Sequence, residues 1–489
     1  MRSILPLFFF ALIAVPSAHS QDRAPDQASQ NHAAQLPAEP APDDEAENQR
    51  SSQLTQPPVE RFTLENGLEV FLHPDPRSSQ AAVCTVYDVG ARDDPEGYRG
   101  IAHLMEHMAF RGSENAPQGY LRLLDTIGAS NYNGSTHNDR TQYHAVVPSR
   151  QLQTALWIEA DRMAYLLTGA TEEQLEDEQA IVLHEWRQRG GAGSGATMRR
   201  ALWDEFYPEG HPYRDAFDHP DDIRAVDLSD IRWHFQHYYQ PNNARIAVVG
   251  RFDRASARAH IEELFGPIRP QGPRASRRSS EPVRLDGETV VHMEGSVGRS
   301  RVIITWPTPS FLAPGDAELD VVAALLDGHV DRILEAALVQ TRIANRVSAS
   351  QASSELGSHF TIDVSGNIDH PASEILSIID RELSKLREEL VAASDVEAAV
   401  AKWQMRYLGA EDMMGWRACS LAAHHPPGGG VFDLAFNRRR YAEINPEQVR
   451  ATARRYLSPE RRVVILMEND RDAGDLEVER IERRPAGGQ

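Results

Sequence analysis

Asp227 to Val248 aligns without gaps onto Asn445 to Leu466, and Ile231, Arg232, Tyr238 and Pro241 fall on Val449, Arg450, Tyr456 and Pro459. In each copy a helix ends in Tyr-x-x-Pro and runs into an apolar strand, and in each copy that pair closes a block of elements. Such a repeat restricts the chain to a duplicated architecture, because the same local pattern must bury its apolar side in the same way twice. The expected fold is α+β: two similar domains, each a mostly antiparallel sheet packed with helices, related by internal duplication. Length agrees, since 489 residues exceed one core and predict two or three domains at roughly 100–200 residues each.

Arg61–Leu64 and Leu68–Leu72 flank Glu65-Asn66-Gly67, a hairpin signal because Asn and Gly tolerate positive φ. Ala81–Val89 reads as a strand, Leu152–Leu167, Glu172–Arg187 and Met198–Phe206 as helices, Ala244–Val249 as a strand and Arg254–Leu264 as a helix. Residues 268–284, with Pro270-Gln271-Gly272-Pro273, have linker chemistry. Beyond it Arg301–Trp306 and His359–Val364 read as strands, Ala317–Leu338 as mostly helix, and Val463–Met467 as a last strand. These readings place a first domain at 59–267, a second homologous domain at 285–468, and a charged, frayed tail at 469–489.

Residues 1–20 have the form of a secretory signal. Arg2 supplies the charge, Ile4–Val15 a short apolar core, and Ser17-Ala18-His19-Ser20 the small residues before a cut after Ser20. Residues 21–58, rich in Ala, Pro, Gln, Asp and Glu, read as a disordered leader. The expected location is the periplasm or the exterior, with no membrane span after signal removal. The two cysteines, Cys84 and Cys419, lie in different halves of the chain and are expected to be buried free thiols. Fifty-one basic against 72 acidic side chains give a formal charge of −21, which argues against nucleic acid as a partner, because phosphate binding needs a basic face.

The chemistry lies in Gly100 to Phe110, which reads as a helix entered through a glycine. His103 and His107 are four residues apart and project from one face, so two imidazoles can hold one zinc ion. Glu106, just before the second histidine, can reach a water on that ion and act as general base. The order H-x-x-E-H inverts the commoner H-E-x-x-H zinc motif. A catalytic zinc generally takes three protein ligands and keeps one position open. The helix over 172–187 is the best source of the third: Glu178 and Glu185 share one face two turns apart, and His184 is a rival ligand on another face. Between the two helices lies a polar cluster that includes Asn131, Asn133, Ser135, Asp139 and Tyr143; as residues alone it reads as a loop with side-chain capping bonds. Gly190–Gly195 reads as a flexible connection.

In order along the chain, Thr63–Val70, Val89-Gly90-Ala91-Arg92, Gly100–Phe110 with Arg111-Gly112-Ser113, Asn133-Gly134-Ser135-Thr136, Asp139-Arg140-Thr141-Gln142-Tyr143, and Glu178 with Glu185 resemble the N-terminal domain of the pitrilysin/insulinase family of inverted-motif zinc peptidases. The resemblance covers roughly 59–467 and favours Glu185 over His184 as third ligand. It implies Glu178 as a supporting glutamate, grouped with Glu106 in the catalytic apparatus, and Asn133 as a residue holding substrate backbone. It further implies Zn2+ as cofactor, peptides as substrates, and a substrate strand added to a sheet edge beside the zinc helix, expected at Ala81–Val89. Size and layout resemble the short branch of the family, which includes the mitochondrial processing peptidase and bacterial homologues and works as pairs of two-domain chains.

One departure carries weight. Relatives that complete the site from their second domain have an Arg and, seven residues later, a Tyr; the matching positions here are Leu338 and Asn345, with Arg342 at the wrong spacing. The implied function is a zinc endopeptidase for unfolded or short peptides, working as the zinc-bearing subunit of a heterodimer whose homologous partner supplies the Arg/Tyr pair. The alternative is a non-catalytic scaffold or peptide-binding subunit of the same family.

Overall fold

The computed structural model describes residues 58–327, 332–424, 434–470 and 474–486. The secretory segment and, Pro58 apart, the leader lie outside the described residues.

Strands β1 (Glu60–Thr63), β2 (Glu69–Pro74), β3 (Gln80–Tyr87), β4 (Ser130–Thr136), β5 (Thr141–Pro148) and β6 (Ala244–Gly250) form one sheet in the order β1-β2-β6-β3-β5-β4. Strands β7 (Gly287–Gly295), β8 (Arg301–Thr308), β9 (Ala344–Ala352), β10 (Ser358–Gly366), β11 (Val463–Asn469) and β12 (Glu477–Pro485) form a second in the order β12-β7-β11-β8-β10-β9. In each, one pair is parallel, β2 with β6 and β7 with β11, and the rest are antiparallel. The first half also contains α1 (Ile101–Met108), α2 (Tyr120–Thr126), α3 (Leu152–Tyr165), α4 (Glu172–Gln188), α5 (Ser194–Phe206), α6 (Pro220–Ala225), α7 (Leu228–Tyr238) and α8 (Arg254–Phe265). The second contains α9 (Asp316–Leu326), α10 (Ala372–Glu388), α11 (Ala393–Asp412), α12 (Met414–Ala423), α13 (Leu434–Ala442) and α14 (Pro446–Tyr456).

The two halves obey one offset. The 218 residues that separate Asp227 from Asn445 also carry α1 onto the end of α9, α5 onto α12, α7 onto α14, and β4, β5 and β6 onto β9, β10 and β11. Local chemistry repeats with the geometry. Asp227 and Asn445 each cap their helix by accepting N–H bonds from its first turn, and Asp230 and Gln448 return the bond to the cap residue. The hairpin at Glu65-Asn66-Gly67 forms as expected: Gly67 has φ +92°, and Asn66 Oδ1 accepts the Leu68 N–H while its amide donates to the carbonyls of Phe265 and Ile268.

Each half lends a helix to the other. Met198, Leu202 and Phe206 of α5 pack with Val291, Ile303 and Ile465 of the second sheet. Ala418, Leu421 and Ala422 of α12 pack with Phe71, Ala82, Val86 and Val249 of the first. Helix α12 is fastened there by a disulfide between Cys84 on β3 and Cys419, with Cα atoms 5.2 Å apart, and by a buried ion pair of Arg417 with Asp75 at 3.3 Å. The cysteines are therefore not free thiols. The exchange of helices brings together residues 335 positions apart, which neither local spacing nor composition encodes.

Three other expectations are corrected. Strand β3 lies inside its sheet, between β6 and β5, so 81–89 is not an edge; the edge beside α1 is β4. The polar cluster after Asn131 is the β4–β5 hairpin rather than a loop, its Asn, Ser and Thr residues suiting a strand that is solvated on one side. The charged tail is not frayed over 477–485: it is β12, antiparallel to β7, where alternating Glu and Arg belong on an exposed edge strand. The stretch 317–338 is mostly helical among the described residues, as expected: α9 runs to Leu326, and a turn, Glu335–Val339, leads into β9, a strand with no sequence expectation.

Candidate metal centre

Helix α1 begins at Gly100, whose φ of +98° favours a residue without Cβ. The buried Asp94 carboxylate accepts the N–H groups of Gly100 at 2.7 Å and Ala102 at 3.2 Å, satisfying the first turn. Leu104, Met105 and Met108 seat the helix in the core. At its far end the buried Arg162 donates to the Ala109 carbonyl at 3.1 Å beneath the rings of Phe110, Tyr120 and Tyr143. Both ends being held, the two histidine rings meet edge to face with centroids 5.0 Å apart.

Helix α4, capped by Thr171 and Gln174, brings two glutamates to that face. Glu185 lies 3.8 Å from Nε2 of His103 and 3.8 Å from Nε2 of His107. One donor atom from each of the three residues falls within 4.8 Å of the others, and no other such group of His, Cys, Asp and Glu exists among the described residues. Zinc bonds near 2.0–2.1 Å require donors separated by roughly 3.3 Å, so side-chain adjustments draw the donors onto a shared ion. Buried Glu185 Oε2 takes no hydrogen bond and is balanced instead by the Arg189 guanidinium at 2.6 Å, an ion pair. Two imidazole nitrogens and a carboxylate held by cationic charge form a donor set that fits zinc. His184 points away, exposed and bonded to Gln188.

The outer ring nitrogens are also engaged. Glu178 accepts at His107 Nδ1, 3.0 Å, and is held in turn by Arg111 at 2.5 Å. Burial opposes ionisation of Glu178, but these two partners hold its carboxyl below the usual range. At the other histidine, His103 Nδ1 meets Asp218 at 2.9 Å. Burial alone would favour the neutral ring; the Asp218 carboxylate outweighs it, and with no cation on the ring the imidazole is pushed up to about 9. Each histidine thus turns Nδ1 to a carboxylate and Nε2 to the shared centre. Sequence reasoning missed Asp218 and Asp94. Asp94 is six residues before Gly100 and legible as a cap; Asp218 is 115 residues from its histidine, beyond any local pattern.

Glu106 is buried and lies against the edge strand: a Cβ on Gly134 would come within 2.8 Å of its Oε1 and 2.9 Å of the Phe110 ring. Asn133, the residue before Gly134 on β4, is exposed. In the second half, the 218-residue offset places Val321, Leu325 and Trp403 at the positions of His103, His107 and Glu185. Val321 and Leu325 are core residues and Trp403 packs against that core, so an apolar contact stands where the first half gathers its donors. Leu338 is fully buried, and Arg342 and Asn345 are exposed.

Residues 69–189 match the family model described as Insulinase (Peptidase family M16), and residues 225–402 match that of the Peptidase M16 inactive domain. The chain belongs to the M16, or pitrilysin, peptidase family. Among M16 relatives, the zinc protease PqqE of Helicobacter pylori is 27% identical over 350 residues, 70% of this chain and 77% of that protein. Mitochondrial cytochrome b-c1 complex subunit 1 of Rattus norvegicus is 23% identical over 329 residues, 63% of this chain and 66% of that one. The crystal structure of a protease from Helicobacter pylori shares the M16 fold with a TM-score of 0.75 at 23% identity, covering 84% of this chain and all of that one.

Proposed function

We propose that this M16 chain is a zinc endopeptidase acting on extended peptides, and that it is the zinc-bearing subunit of a heterodimer. The observation that carries the reading is the convergence of His103 Nε2, His107 Nε2 and the Glu185 carboxylate at one point. Zinc held there would supply a Lewis acid for the scissile carbonyl and a water acidic enough to attack at neutral pH. Glu106, on the same helical turn as His107, would be the residue that accepts a proton from the attacking water and returns it to the leaving amine. Glu178 and Arg111 keep His107 oriented. The edge of β4 offers free backbone groups for an added substrate strand, and Asn133 offers an exposed amide there. A secreted or periplasmic location is supported by the Cys84–Cys419 disulfide, because such bonds persist in oxidising compartments.

Buried Leu338 and the short Asn345 leave the second domain without the Arg/Tyr pair, and that favours a homologous partner as its source. The same observation favours the second reading, a non-catalytic subunit, for which cytochrome b-c1 complex subunit 1 is the family precedent. Metal analysis of the purified chain separates the two: stoichiometric zinc supports the enzyme, and its absence from protein refolded with zinc overturns it. Glu106→Gln should keep the zinc and lower cleavage of an unfolded peptide by about 10²-fold or more; retained turnover removes Glu106 as the base. Glu185→Gln should weaken zinc binding, and unchanged affinity removes it as a ligand. Full peptidase activity of the isolated chain refutes the heterodimer.

A further inference from the structure

Between α5 and α6 the chain passes the entrance of the motif helix, and several contacts fix it there. The N–H of His219 donates to the Arg99 carbonyl at 3.3 Å. One carboxylate oxygen of Asp222 accepts both the Arg99 N–H, at 3.1 Å, and its guanidinium, at 2.8 Å. A Cβ on Gly100 would stand 2.9 Å from Ile223 and 3.2 Å from Asp218 Oδ1, so only a glycine there lets the segment approach. The result is an aspartate held beside the helix entrance by the residues that follow it, with Oδ2 2.9 Å from His103 Nδ1.

We infer that Asp218 is a positioning residue for the metal: its carboxylate holds the proton on His103 Nδ1 and thereby presents the Nε2 lone pair to the shared centre, matching what Glu178 does for His107. A ligating imidazole is free to rotate about two side-chain bonds and to place its proton on either nitrogen. A fixed acceptor on one nitrogen selects both the rotamer and the tautomer and raises the basicity of the other. Glu178 is carried by the helix that also carries Glu185, so the sequence spacing exposes it. Asp218 comes from a separate segment, and the Arg99–Asp222 clamp does for it what the helix does for Glu178.

This inference rests on the zinc reading, and the test separates the two. Zinc affinity is measured by competition with a chromophoric chelator for the full chain and for Asp218→Ala, Asp218→Leu and Asp218→Asn, alongside the melting temperature of each metal-free protein. Asp218→Ala and Asp218→Leu should lose about 10- to 100-fold in zinc affinity, while Asp218→Asn, which keeps an acceptor, recovers part of the loss. Wild-type affinity in the Ala or Leu variant overturns the inference and leaves the zinc reading standing; a wild-type chain that binds no zinc defeats the zinc reading itself. A second measurement needs no variant: nitrogen chemical shifts of labelled histidine in the zinc-loaded wild-type protein should show His103 protonated at Nδ1 and metallated at Nε2. Metal at Nδ1 overturns the assignment of Asp218.

Discussion

At the scale of single residues, the site depends as much on a missing side chain as on the donors. Gly134 sits where β4 passes Glu106, and an added methyl would lie 2.8 Å from Oε1 and 2.9 Å from Phe110. Gly134→Ala is therefore expected to displace the carboxylate. Overpacking of this kind costs about 1–3 kcal/mol, and cleavage should fall while zinc content stays at the wild-type level, because neither histidine is touched. Peptidase assay and metal analysis on the same sample check this; wild-type turnover would mean that Glu106 tolerates the methyl. Of the residues expected to act, His103, His107 and Glu185 were legible from spacing together with the family resemblance, and Glu178 likewise. Asp218 was not, because a hydrogen bond across 115 residues has no sequence period.

At the scale of elements, helix identity followed from periodicity and capping signals in α4, α7 and α14, and strand identity in β6 from a short apolar run that is buried throughout. The reading failed at strands whose environment is decided by their neighbours. Strand β4 is polar because it is an edge, β12 is charged because it is an edge, and β3 is interior only because β5 and β6 flank it. Helix α12 shows the same dependence: its apolar face is covered by the first sheet and tied to Cys84, although the helix belongs to the second half of the chain. Loss of the disulfide in Cys84→Ser or Cys419→Ser should destabilise the chain by about 2–5 kcal/mol, measured as a lowered urea midpoint with and without reductant. Zinc content should not change, since neither cysteine lies in the donor set. Equal midpoints for wild type and variant under oxidising conditions would show that Arg417–Asp75 and the apolar contact suffice to hold α12.

At the scale of the whole molecule, the duplicated halves share a plan but not a chemistry: one centre is lined with ionisable donors and the other with Val321, Leu325 and Trp403. Buried histidines away from the site predict how the molecule responds to acid. Burial, reinforced by Arg417, lowers His73 to about 4, and burial lowers His234 to about 3. Each binds its proton near pH 6.5 in the unfolded chain and only at far lower pH in the folded one, so the unfolded state takes up more protons as pH falls. Stability should therefore decline from about pH 6.5 downward, read as melting temperature against pH. His234→Phe should flatten that decline, and an unchanged slope would remove His234 from it. Sequence by itself determined the duplication, the family, the order of most elements and the pair of histidines one turn apart, because these are properties of local periodicity and of motifs that recur in order. Tertiary structure alone decided which strand is an edge, that Cys84 meets Cys419, that each half covers the other's sheet, and that Asp218 stands behind His103. Those depend on which distant surfaces pack together, and packing is selected by the burial of whole faces rather than by any residue's neighbours along the chain.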